Sequence, residues 1–234
     1  MSIGTPILKE VHGRSAPSGF AGQVSRTLKR CLDCALAALL LVLLLPIFFI
    51  LGVLVLLDDG WPIFHKRWVV GQNGEFDAFK FRSMRRNADQ ILERDPALKA
   101  EFEQNFKLRD DPRLTRTGEF LRKHSLDELP QLLNVLAGQM SLVGPRPELP
   151  HYVAEYTVEQ RRALRARPGI TDPASLAYRL EEETLADKSD PEQYYRTQIL
   201  PDKLARNMGY LQKITLRNDI RIIVKTISSS FFFR

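Results

Sequence analysis

One stretch limits most sharply what this chain can become. From Cys34 to Leu57 no residue carries a charge and nearly all are apolar. A helix of about 20 apolar residues crosses the hydrocarbon core of a bilayer, so the run could span a membrane if it stayed straight. Pro46 falls near its middle. A proline inside a helix removes a backbone hydrogen bond and its ring clashes with the preceding turn, which bends or breaks the helix. The flanks add a second constraint. Arg26, Lys29 and Arg30 precede the run, and His65, Lys66 and Arg67 follow it. Basic residues on both sides satisfy the positive-inside rule most simply when both ends stay on one face. A helix–break–helix dipping into one leaflet, broken at Leu45-Pro46, meets that condition; a kinked spanning helix is the alternative. Asp33 stands at the start of the run, where a carboxylate needs a partner, and Arg30 lies one helical turn earlier.

With 234 residues the chain can hold one moderate domain and accessory segments. Its net charge of +6 suits an anionic partner: nucleic acid, anionic lipid or a phosphorylated substrate. Nucleic acid is set aside, because the sequence has neither a two-Cys, two-His finger spacing nor an RNA-recognition aromatic pattern. Cys31 and Cys34 have no second pair to complete a zinc site and read as small apolar residues.

The fold class expected is α+β, mainly helical. Residues 1–25, rich in Gly, Ser and Pro, read as a flexible tail, and 26–60 as the membrane anchor. Ile63–Val70 and Glu75–Arg82 read as strands joined by the turn Gly71-Gln72-Asn73-Gly74, a small β-hairpin. In Phe79-Lys80-Phe81-Arg82 aromatics alternate with cations, so one face packs and the other presents charge. Ser83 to about Asn105 reads as two amphipathic, interfacial helices interrupted at Asp95-Pro96, with a Phe102–Phe106 contact one turn apart. Asp110-Asp111-Pro112 reads as a break. Glu148–Arg165 reads as a helix, and Arg167-Pro168-Gly169-Ile170-Thr171 as a turn carrying a cation. In 216–234, Leu216, Ile220, Ile223, Val224 and Ile227 recur at helical spacing, and Phe231-Phe232-Phe233-Arg234 suits a membrane interface.

The chemistry concentrates in Ser125-Leu126-Asp127-Glu128-Leu129-Pro130-Gln131. Pro130 lacks an N–H and fits the first turn of a helix, which places a helix start at or near Asp127. Free backbone N–H groups there favour an ionised carboxylate and can hold a phosphate beside it. An ionised carboxylate is a usable nucleophile. The plainer reading is a capping box, because Ser125-x-x-Glu128 matches that pattern. Arg113, Arg116, Arg122 and Lys123 crowd the approach, and Gly144-Pro145-Arg146-Pro147 follows. Arg122, Arg146, Lys80 and Arg82 are candidate phosphate contacts; arginine offers forked donors suited to phosphate oxygens.

Arg116-Thr117-Gly118, Leu121-Arg122, Ser125 to Gln131, Asn134-Val135-Leu136, Gly138 and Met140-Ser141-Leu142-Val143-Gly144-Pro145-Arg146-Pro147 make one long pattern. It resembles the bacterial sugar transferases, the small monotopic phosphoglycosyl transferases, from about Lys29 to Thr171. The resemblance implies transfer of a sugar-1-phosphate from a nucleotide diphosphosugar, a UDP-sugar, to polyprenyl (undecaprenyl) phosphate at the start of surface-glycan or exopolysaccharide synthesis. It implies a covalent phosphosugar on Asp127, a catalytic Glu128, and magnesium held by Asp127 and Glu128. It also implies substrate contacts from Lys80 and Arg82, from Pro145, Arg146 and Pro147 to the nucleotide, and from Arg167. Residues 61–215 would form a cytosolic catalytic domain on the inner face of a bacterial inner membrane, with lipid as a partner and room for a homodimer. A non-catalytic scaffold binding anionic lipid is the rival reading. A glycosidase is disfavoured, since its two carboxyl groups must flank a sugar about 5–10 Å apart.

Overall fold

The computed structural model describes residues 20–105, 108, 111–212 and 214–232. The expectations for residues 1–19, Phe106, Asp110, Arg234 and the side chains of Phe231, Phe232 and Phe233 lie outside the described part.

Helix α1 spans Phe20–Leu43 and α2 Leu45–Asp59, with a 62° bend between them. α1 thus begins inside the segment expected to be a tail. Pro46 cannot donate to the carbonyl one turn back, and the chain yields two residues earlier: Leu44 sits at φ −90°, ψ 0°. The break therefore falls at Leu44, and Leu45 and Pro46 open the second helix rather than forming the break. No single described helix is long and apolar enough to cross a membrane; the bent pair passes that test together. Leu45, Phe49, Ile50 and Leu57 on α2 are exposed, a large apolar surface for a protein in water.

Strand β1 (Phe64–Gly71) pairs antiparallel with β2 (Gly74–Phe81), with His65 opposite Lys80 and Arg67 opposite Ala78. The expected hairpin forms within a residue or so of its expected ends. Helices α3 (Ala88–Arg94) and α4 (Pro96–Asn105) follow, then α5 (Arg116–Lys123), a 3-10 turn at Leu126–Glu128 and α6 (Gln131–Leu136). Strand β3 (Ser141–Val143) pairs in parallel with β4 (Gly169–Thr171). Arg167–Thr171 is thus not merely a turn; three residues are too few to show a strand period. Between these strands, the helix expected over 148–165 splits into α7 (Pro150–Ala154) and a 3-10 turn at Gln160–Arg165. The cause is a capping box at Thr157 and Gln160: Gln160 N–H donates to Thr157 Oγ1 at 3.2 Å, and Thr157 N–H to Gln160 Oε1 at 2.8 Å. The chain continues through α8 (Pro173–Ala177), α9 (Glu181–Ala186), α10 (Pro191–Tyr194), a π turn at Tyr195–Ile199, α11 (Leu200–Leu211) and α12 (Leu216–Phe232).

Three apolar clusters hold these elements. Leu51 and Val55 of α2 pack on Phe81 and Leu121. Ala37 of α1 joins Leu132, Val135, Met140, Leu142, Tyr210 and Ile222. Tyr152, Val153, Tyr195, Ile199 and Leu204 form the third. Full burial of one such side chain contributes roughly 1.5–3 kcal/mol, so α1 and α2 are bound into the rest of the protein. Polar contacts reinforce this. Asp33 does not pair with Arg30. It accepts from Ser141 Oγ at 2.6 Å and faces Lys29 Nζ at 3.6 Å. Arg30 instead reaches the C-terminal carbonyls of α6, donating to Val135 O at 2.7 Å and Leu136 O at 3.2 Å, where a cation also suits the helix dipole.

Candidate active site

The acidic pair lies where α5, β2 and α6 meet. Gly118 sets the first distance. A Cβ there would stand 1.9 Å from Ser83 O, so only glycine lets α5 lie on that backbone. Thr115 caps α5 by accepting from Gly118 N–H at 2.9 Å, and Asp58 at the end of α2 accepts from Thr117 N–H at 2.7 Å. The chain then reverses through Ser125, whose φ of 55° is a left-handed conformation unusual for serine. Ser125 makes no capping hydrogen bond. The capping-box reading therefore fails, and the helix start expected at Asp127 is instead a separate 3-10 turn, with α6 opening at Gln131. Asn134 of α6 locks this unit to the hairpin: its Oδ1 accepts from Phe79 N–H at 2.9 Å and its Nδ2 donates to Asp77 O at 2.7 Å.

That docking brings Lys80 onto the pair. Lys80 Nζ donates to Asp127 Oδ2 at 3.1 Å and to Glu128 Oε1 at 2.7 Å. Asp127 is buried, and its Oδ1 has no protein hydrogen-bond partner among the described residues. Arg146 meets Glu128 through both terminal nitrogens, one of them at 3.2 Å from Oε2. Two glycines aim Arg146. A Cβ on Gly144 would come 2.3 Å from Arg167 O, and one on Gly169 would come 2.1 Å from Gly144 N. Gly144 N–H donates to Thr171 O at 3.1 Å and Gly169 N–H to Pro145 O at 2.9 Å. Pro145 is buried and Pro147 half-buried in the same loop.

Burial alone would raise the Glu128 pKa, but the charges of Arg146 and Lys80 outweigh it and hold this carboxyl well below the usual range. The Glu128 charge in turn raises the pKa of Arg146. Glu148, behind Arg146, is pushed the other way, upward, by burial.

The remaining expected contacts divide. Arg122 borders the site and donates through Nε to Ser83 Oγ at 2.9 Å. Arg167 donates to Gly138 O at 3.2 Å and shapes the Gly144 loop through its backbone. Arg82, expected beside the phosphates, is turned to the end of α2: it pairs with Asp59 and donates to Pro62 O at 2.6 Å and to Gly60 O. Residue alternation could not separate these, because Arg82 follows the last strand residue. Sequence reasoning missed Asn134 as the link to β2, although it stands in the long pattern. It also missed Asp172, which is fully buried and caps α8 by accepting from Ala174 N–H at 2.6 Å.

Among the described residues no group of three or more His, Cys, Asp or Glu is gathered for a metal. Asp127 and Glu128 supply two neighbouring carboxylates, a donor set that fits magnesium when substrate phosphates complete its shell.

A family model described as "Bacterial sugar transferase" matches residues 24–233. The chain is 41% identical over 216 residues to the UDP-galactose-lipid carrier transferase of Erwinia amylovora, covering 90% of this chain and 42% of that protein. It is 34% identical over 218 residues to the UDP-glucose:undecaprenyl-phosphate glucose-1-phosphate transferase of Escherichia coli, covering 89% and 41%. It is 39% identical over 204 residues to the exopolysaccharide production protein ExoY of Sinorhizobium fredii, covering 85% and 83%. The chain thus spans about two-fifths of the first two relatives and most of the third. The clustered carboxylates, the glycine-aimed Arg146 and a match across nearly the whole chain agree: the protein belongs to the bacterial sugar transferase family.

Proposed function

We propose that this protein transfers a sugar-1-phosphate from a UDP-sugar to undecaprenyl phosphate on the cytoplasmic face of a bacterial inner membrane, initiating surface-glycan synthesis. The observation that carries the reading is the buried Asp127, fixed through one oxygen by Lys80 and bare at the other, beside a Glu128 clamped by Arg146. The printed names of the Erwinia and Escherichia relatives support a UDP-sugar donor, and that of the latter an undecaprenyl-phosphate acceptor. The bent apolar helix pair supports a site at a membrane surface, where an isoprenoid acceptor must be met.

Asp127 attacks the sugar-bearing phosphorus through Oδ1 while Lys80 holds Oδ2. Uridine monophosphate leaves and an aspartyl phosphosugar remains. The acceptor phosphate then attacks that phosphorus and frees Asp127. One phosphoanhydride is exchanged for another, so the reaction is close to energy-neutral. Glu128 stays anionic across the working pH range and orients Lys80 and Arg146. Magnesium, held by Asp127 and Glu128, would offset the charge on the non-bridging phosphate oxygens.

The test is a reaction with donor alone. Full-length protein in detergent, given a UDP-sugar and no acceptor, is expected to gain the mass of one phosphosugar, mapped to the Asp127 peptide, and to release uridine monophosphate stoichiometrically. Asp127→Asn is expected to fold and gain nothing. Turnover by Asp127→Asn at the parental rate, or lipid product formed with no adduct, would sink the covalent mechanism. Absence of any nucleotide release, alongside binding to anionic vesicles, would favour the lipid-binding scaffold.

A further inference from the structure

One cation at this site has no role yet. The ladder sets Arg67 opposite Ala78 and His65 opposite Lys80, and alternation puts His65, Arg67 and Lys80 on one face of the hairpin. Lys80 on that face touches the acidic pair. Arg67 lies within electrostatic reach of Arg146, Glu148, Glu128 and Arg122. Yet no hydrogen bond or ion pair engages its guanidinium among the described residues, and the residue is exposed. Arg122 offers only Nε to Ser83.

Cations and carboxylates interleave around the acidic pair. Asp127 and Glu128 pair with Lys80 and Arg146, and Glu148 lies within electrostatic reach of both Arg67 and Arg146. Lys80 and Arg146 are occupied by the carboxylates. Arg67 and the outer nitrogens of Arg122 are left over. The charges of Arg146, Glu148, Glu128 and Arg122 all act on Arg67 across this face. An arginine stays protonated throughout, so its open guanidinium attracts an incoming anion. A forked guanidinium beside another matches two non-bridging oxygens of one phosphate.

We propose that Arg67 acts with Arg146 on the departing nucleotide phosphate of the donor. The inference rests on the diphosphate-donor reading above and deepens it. When Asp127 oxygen bonds to the sugar-bearing phosphorus, the bond from that phosphorus to the bridging oxygen breaks. The electron pair leaves on the bridging oxygen, now part of the nucleotide monophosphate, and no proton need move. Arg67 and Arg146 offset the charge that develops there. Arg67 belongs to this side of the site because its strand runs against the Arg146 loop: Val70, three residues further along β1, donates its N–H to Glu148 O at 2.9 Å, two residues past Arg146. The group it recognises is a nucleoside monophosphate, through the phosphate and not the base.

The role separates the two half-reactions. A group that stabilises the leaving phosphate matters to adduct formation and not to discharge of the adduct. Full-length parental protein, Arg67→Ala and Arg67→Lys are compared in detergent. Expected for Arg67→Ala are a 10- to 100-fold slower single-turnover release of uridine monophosphate, an unchanged rate of discharge from preformed adduct to undecaprenyl phosphate, and weaker binding of uridine monophosphate with uridine unaffected. Arg67→Lys, which keeps the charge, recovers part of the first rate. Unchanged release, or a slowed discharge with normal release, overturns the assignment while the donor reading stands. If the parental protein neither binds the nucleotide nor releases it from the donor, both fall together.

Discussion

Among the described residues Lys80 alone touches both carboxylates, and Lys80→Met removes it while keeping most of the stem volume. Lys80, Asp127 and Glu128 have side chains 14%, 8% and 12% exposed, so water screens them little. Deleting one partner of a buried ion pair costs about 3–5 kcal/mol, because a charge is left without compensation. Arg146 still reaches Glu128, which places this case near the lower end, about 3 kcal/mol. For a chain of this size each kcal/mol moves the melting temperature by about 2–4 °C, so a fall of roughly 6–12 °C is expected at pH 7. The pH dependence has a definite sign. The folded Glu128 pKa is depressed, so its ionised form adds stability above the ordinary carboxylate value, and this is lost as pH falls through the folded value. Without Lys80 the depression is smaller. The gap between parent and variant should be full at pH 7 and should narrow only in acid, as pH falls through the variant's folded Glu128 value toward the parent's lower one. Thermal melts in detergent at a series of pH values read this directly, and the donor-only mass assay should show no adduct. An unchanged melting temperature at pH 7, or a gap that widens on acidification, would refute the reasoning.

Gly118→Ala places a methyl group 1.9 Å from Ser83 O, a backbone atom that cannot swing aside, so α5 must move. A loss of roughly 1–3 kcal/mol is expected, with impaired adduct formation because Arg122 moves with the helix; a melt and rate equal to the parent's would contradict the close-approach argument. Asn207 on α11 is buried, and its Oδ1 has no hydrogen-bond partner among the described residues. Asn207→Leu removes that acceptor while keeping the branching and heavy-atom count, so the melting temperature should rise, with roughly 1–3 kcal/mol of desolvation cost relieved; a lower value would show that the amide is satisfied in the folded protein.

Much of this architecture could be read in advance, and the misses have physical causes. The hairpin was legible because Gly71-Gln72-Asn73-Gly74 punctuates two runs of β-forming residues. The helix break was legible from Pro46, off by one or two residues because proline acts on the turn before it. The strands β3 and β4 were not legible. They exist because Gly144 and Gly169 let two backbones nearly touch, a long-range contact that leaves no local period. Arg82 was misplaced for a related reason: its partner Asp59 lies at the end of α2, and no spacing rule couples the end of that helix to the end of a strand.

That last contact is one of a set that ties the apolar helices to the chemistry. Asp58 holds the first turn of α5 through Thr117, while Asp59 takes Arg82. Arg30 takes the carbonyls that end α6, and Asp33 takes Ser141 at the start of β3. Lys29 reaches across to Asp219 at 2.6 Å, which also accepts from Tyr210 Oη at 2.6 Å. Each of these carboxylates and cations would be costly near hydrocarbon if left alone. Asp58, Arg30 and Asp33 are instead paired with elements that carry or brace a site residue: α5 for Arg122, α6 for the turn of Asp127 and Glu128, β3 for the Arg146 loop. The bent apolar helix pair is therefore part of the same body that positions the acidic pair. A version lacking 20–59 would lose Asp33, Asp58 and Asp59 together with the apolar cluster at Phe81 and Leu121, and with them the geometry of the site.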